Sequence, residues 1–114
     1  MKTTSLIKTM TAATLLLAAV CWSAHAEDAA ALWNKNCASC HGKDGKGQTM
    51  MGKKNGAKDY TDAKVQADLT DEAALKAIKE GVKVDGKEVM KSFAEKVSDD
   101  DAKALVAYLR TFKK

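Results

Sequence analysis

The chain has 114 residues, 30% charged and 5% aromatic, with 19 basic against 15 acidic side chains and a formal net charge of +4. Once a leader is removed, that length holds one domain and excludes two. Few aromatics, together with the export argued next, exclude nucleic acid as a sensible partner.

Residues 1–26 read as a secretory leader, removed in the mature protein. Lys2 and Lys8 make a basic start, Met10 to Trp22 is apolar apart from Thr11 and Thr14, and Ala24-His25-Ala26 is an A-x-A cleavage site. The apolar stretch is too short to span a bilayer. Ala18-Ala19-Val20 before Cys21 lacks the leucine and the small final residue of a lipobox, which disfavours a lipid anchor. Cleavage leaves a domain over Glu27 to Lys114, with Cys37 and Cys40 as its cysteines and His41 as its histidine. The expected location is the bacterial periplasm, with a thylakoid lumen as the alternative.

The first predicted helix runs from Asp28 to Asn36, with Ala29, Leu32 and Trp33 on one face. It leads into Cys37-Ala38-Ser39-Cys40-His41, the C-x-x-C-H run of c-type haem attachment. Each thiol can add across one haem vinyl group, and His41 can then ligate the iron. A structural zinc site would need a fourth ligand that the mature chain lacks, and no βαβ pattern supports a thioredoxin-like pair. A free or disulfide-bonded pair is the bland alternative. One motif implies one haem, whose apolar body would supply much of a core that protein alone leaves marginal.

After the motif, Gly42, Gly45, Gly47, Gly52 and Gly56 mark a loop, suited to lying against a flat ring or simply to being flexible. Thr61 to Leu69 reads as a short helix. A longer helix begins at Thr70, whose hydroxyl caps it ahead of Asp71 and Glu72, buries Ala74, Leu75 and Ile78, and ends at Gly81. Asp85-Gly86 reads as a tight turn into Lys87 to Met90. The last helix starts at Ser98, with Asp99 to Asp101 in its first turn, and buries Ala102, Leu105, Val106, Leu109 and Phe112. No strand is predicted.

Leu32-Trp33 before the haem motif, then Leu75 to Gly81, Met90-Lys91-Ser92-Phe93 and Leu105 to Leu109, resemble in their order the small class I cytochromes c. The likeness covers the whole mature chain. It implies an all-α fold in which the first and last helices cross, with a middle helix and loops wrapped around one covalent haem c, and so places Trp33 near Leu105, Tyr108 and Leu109. With no second histidine, the sixth iron ligand comes from Met50, Met51 or Met90, or the site is open or lysine-bound. The resemblance favours Met90. The family usually has Met-Pro there and a second proline carbonyl on the far nitrogen of the haem histidine. This chain has no proline, so a carbonyl between Gly47 and Met51 is expected to orient His41.

Charge is uneven. Lys35, Lys43, Lys46, Lys53, Lys54 and Lys58 face only Asp44 near the motif, which would steer acidic redox partners or simply keep the surface solvated. The expected protein is a monomeric, soluble periplasmic electron carrier between a donor and an acceptor protein. No acid, base or nucleophile constellation suggests substrate turnover. A haem enzyme or gas sensor with an open distal iron, and a subunit of a larger redox complex, are the competing classes.

Overall fold

A computed structural model describes residues 24–114. The leader expected over residues 1–26 therefore lies outside the described residues, apart from its last three. The elements run α1 (Ala24–Asn36), α2 (Ala38–His41), α3 (Met50–Asn55), α4 (Ala63–Asp68), α5 (Asp71–Glu80), β1 (Val82–Val84), β2 (Lys87–Met90) and α6 (Asp99–Arg110).

Helix α1 begins ahead of Asp28, because its alanine-rich start has helix propensity enough without a cap there. It buries Ala29 and Trp33 and half-buries Leu32. At the other end of the chain, Ser98 and Asp101 cap α6 reciprocally: Ser98 Oγ accepts from the Asp101 amide at 3.1 Å, and Asp101 Oδ2 accepts from the Ser98 amide at 3.3 Å. Helix α6 lays Ala102, Leu105, Val106 and Leu109 inward against α1. The Trp33 ring meets Phe112 at 5.1 Å and Tyr108 at 5.8 Å between centroids, and packs with Leu105 and Leu109 in one cluster. The first and last helices pair as the resemblance implied.

Thr70 and Gly81 bound α5 as predicted, the Thr70 hydroxyl accepting from the Ala73 amide at 3.1 Å and the Gly81 amide donating to the Ala77 carbonyl. Helix α4 lies inside the expected Thr61 to Leu69 span, capped by Asp62. Two elements depart from expectation. Met50–Asn55 is a helix rather than loop, since Thr49 caps it by accepting from the Gly52 amide at 2.9 Å. The residues around the Asp85-Gly86 turn pair as a small antiparallel hairpin, both turn residues having positive φ.

The segment from Tyr60 to Asp71 is fastened to α6 through Gln66, a buried polar residue. Its Nε2 donates to the carbonyls of Tyr60 (2.7 Å) and Leu109 (3.0 Å), while the Arg110 guanidinium donates to Gln66 Oε1 (2.9 Å) and to Asp71 Oδ1 (2.7 Å). Every polar atom of the Gln66 side chain is thereby partnered, which is the condition for burying it without penalty.

Candidate haem centre

Cys37 takes helical dihedrals, and its amide donates to the Trp33 carbonyl at 2.8 Å, so α1 runs almost directly into the single turn of α2. Residues three and four apart share a helix face. Cys37, Cys40 and His41 therefore present together, and all three border one cavity of about 700 Å³. That volume lies in the range of cofactor pockets, roughly 300–1,000 Å³. Its remaining wall is largely apolar, drawn from Val65, Leu69, Ala73, Ala77 and Phe93.

The motif is braced from behind. Trp33 Nε1 donates to the Gly42 carbonyl at 2.9 Å, and the Thr49 hydroxyl donates to the Cys40 carbonyl at 2.8 Å. Two of the glycines after the motif are required by close backbone approaches within the chain. A Cβ on Gly47 would meet the Ala57 carbonyl oxygen at 2.7 Å, and one on Gly52 would strike the Cys40 carbonyl. Of the five glycines only Gly56 borders the cavity. The absent side chains of Gly47 and Gly52 let the loop fold tightly onto backbone and α3 onto α2, while a Cβ on Gly45 would meet the Phe112 ring at 2.6 Å and one on Gly56 would meet nothing.

His41 stacks on Tyr60, with centroids 5.5 Å apart and planes 26° apart, and contacts Trp33 at 5.6 Å. Burial lowers its pKa below the ordinary imidazole value, favouring the neutral ring with a free lone pair. Burial, reinforced by Cys40, pushes the Cys37 thiol up to about 11, so it stays protonated at neutral pH. The two cysteines form no disulfide with each other. Among the described residues no group of three or more His, Cys, Asp and Glu could cage a metal ion. Iron held here would need to arrive with its own equatorial ligands, as it does in haem. The buried, unpartnered Nδ1 of His41 also departs from expectation: no carbonyl between Gly47 and Met51 reaches it. The loop instead binds His41 through its main chain, the Gly47 amide donating to the His41 carbonyl at 2.8 Å.

The three methionines separate by position. Met50 is 87% exposed and does not border the cavity. Met51 and Met90 both do. Met51 is carried by α3, which packs on α2 and so belongs to the wall that holds the cysteines. Met90 is carried by the hairpin, half-buried against the core cluster. Of the six lysines singled out in the sequence, only Lys35 and Lys58 border the cavity; Lys91 and Lys96 join them, with Asp68 and Glu88 as the acidic neighbours. Tyr60 was missed, although it is the lone aromatic residue between His41 and Phe93.

Paired terminal helices over a haem-sized cavity, with a Cys-x-x-Cys-His turn in its wall, define a small monohaem c-type cytochrome, which carries its haem c covalently. Residues 24–109 match the model of the family described as cytochrome c oxidase, cbb3-type, subunit III, and the chain belongs to that family. Among solved structures it is similar to the c-type cytochrome KustC0563, at 39% identity and a TM-score of 0.69, covering 76% of this chain and 99% of that one. A tyrosine-to-phenylalanine variant of the same cytochrome matches at 38% identity and a TM-score of 0.66, covering 75% of this chain and 99% of that one. No curated protein sequence matches. The fold is class I cytochrome c-like and mostly helical, and among the described residues the hairpin is added to the all-α expectation.

Proposed function

We propose that the protein is a soluble periplasmic electron carrier, residues 1–26 being its cleaved leader and residues 27–114 its cytochrome domain. In this reading Cys37 and Cys40 would hold the haem by thioether bonds, and His41 and Met90 would supply the ligands of its iron. The observation that carries it is the convergence of Cys37, Cys40, His41 and Met90 on one cavity. The haem supplies a one-electron ferric–ferrous couple. Tyr60 and Trp33 hold the His41 ring in place, and a Met90 sulfur ligand would favour the reduced state. With His41 and Met90 both supplying ligands, valence could change without a substrate binding. Optical potentiometry on the purified protein should show a single reversible one-electron transition and no carbon monoxide complex in the ferrous state. A ready carbon monoxide complex would favour an open-site haem enzyme or sensor instead.

A second reading, that the domain serves as an electron-transfer subunit of a larger complex, is favoured by the oxidase subunit for which its family is described. Among the described residues no helix is long and apolar enough to cross a membrane. Co-purification with a membrane oxidase would support the subunit reading.

The lysines at the cavity, rather than all those following the haem motif, are the better candidates for steering an acidic redox partner. Lys58→Glu and Lys96→Glu should slow electron transfer to such a partner several-fold, through the association rate, with the difference shrinking as salt rises. Lys76→Glu, the same charge change on α5 away from the cavity, should have less effect. Equal slowing by all three in stopped-flow measurements would show that net charge governs docking.

A further inference from the structure

The family resemblance puts a proline after the axial methionine, and this chain has none. Strand pairing and hydrogen bonds hold the segment that carries Met90 instead. Two features flank that residue. Before it, the pairing of the hairpin runs Val82 with Met90 but Lys83 with Glu88, leaving Val89 unopposed as a bulge. Successive residues of a regular strand face opposite sides, and a bulge re-aims them. Val89 and Met90 accordingly both border the cavity and are both half-buried.

After Met90, the chain is fastened to the open end of α5, whose last carbonyls have no partner within the helix. The Ser92 hydroxyl donates to the Lys79 carbonyl at 2.5 Å, and the Phe93 amide donates to the Ile78 carbonyl at 2.8 Å. Lys79 in turn pairs with Asp99 at 2.7 Å, which ties this end of α5 to the first turn of α6. The approach is close. Gly81 has φ +78, and a Cβ there would sit 2.6 Å from the Met90 carbonyl oxygen and 2.9 Å from the Ser92 amide nitrogen.

We infer that Ser92 is a positioning residue for the axial methionine: its hydroxyl, anchored on the Lys79 carbonyl, holds the Met90 segment against the cavity where a proline would otherwise restrict it. The inference rests on Met90 being the sixth ligand. Ser92 is itself exposed and lies outside the cavity wall, so it acts on the iron only through the backbone of Met90. Loss of its hydroxyl lets the segment swing away more often without emptying the core, because Phe93 stays buried.

Imidazole added to the ferric holoprotein tests this, since it can bind the iron only when the sulfur leaves. Ser92→Ala should tighten apparent imidazole binding roughly threefold to tenfold, the factor associated with one net hydrogen bond. Ser92→Thr keeps the hydroxyl and should bind as the wild type does. In a Met90→Ala background, where no sulfur competes, adding Ser92→Ala should change imidazole affinity by less than about twofold, the non-additivity expected of two residues acting as a unit. No tightening by Ser92→Ala alone, or equal tightening in both backgrounds, overturns the positioning role while leaving the Met90 ligand in place. If Met90→Ala binds imidazole no better than the wild type and keeps the ferric spectrum, the ligand assignment fails, and the inference with it.

Discussion

Cys37→Ala combined with Cys40→Ala should leave almost no folded protein. The described core contains one large side chain that is fully buried, Leu105, and beside the core cluster lies the cavity of about 700 Å³. Without the haem the apolar residues that border this cavity, among them Val65, Leu69 and Phe93, lose the body they would pack against and meet water instead. The net stability of a whole domain is only about 5–15 kcal/mol, so a domain of this size has little to spare. Far-ultraviolet circular dichroism of the double variant should show little helix. A native-like helical signal at 25 °C would show that the protein core suffices by itself. Intact mass of the wild type checks the premise: the chain should start at Glu27 and weigh one haem more than its polypeptide. A lipid-modified Cys21 at the amino terminus would instead place the protein on a membrane.

Met90→Ala should abolish the weak long-wavelength charge-transfer band of sulfur-ligated ferric haem and lower the reduction potential. A thioether stabilises ferrous iron over ferric, and axial ligands set haem potentials over about 0.8 V, so a fall on the order of 0.1 V or more is expected. Met51→Ala should leave the band and the potential in place even though Met51 borders the same cavity, because α3 is tied to the Cys40 side by the Thr49 hydroxyl. Met50→Ala should do the same, its side chain being mostly in solvent. A band lost in the Met51 variant and kept in the Met90 variant would transfer the ligand role to α3.

The features that sequence alone determined are the ones whose physics is local. Cys37, Cys40 and His41 share a face because a helical turn is 3.6 residues. Thr70, Ser98 and Gly81 mark helix ends because a cap needs only a hydroxyl or a flexible residue a few positions from the amides and carbonyls it satisfies. Asp85-Gly86 marks a tight turn because its residues tolerate positive φ. Trp33 against Leu105 and Leu109 was legible too, through the order of motifs shared with class I cytochromes c.

Other features depend on contacts between residues far apart in the chain. Met50–Asn55 has too few apolar residues to read as a helix, and its packing on the Cys40 carbonyl depends on Gly52 having no side chain. Nothing local marks Gln66 for burial, because its partners on Leu109 and Arg110 lie more than forty positions away. Tyr60 carries no local pattern, and its stacking on His41 exists because Gln66 holds its carbonyl from one side while the Tyr60 amide donates to the Gly45 carbonyl from the other. The bulge that turns Val89 and Met90 to the same cavity arises from pairing across the hairpin, which a linear pattern of period two does not contain. Hydrogen bonds and packing between distant segments are satisfied only once the chain has closed on itself, and the positions of Met90 and of the ring behind His41 are set by those contacts.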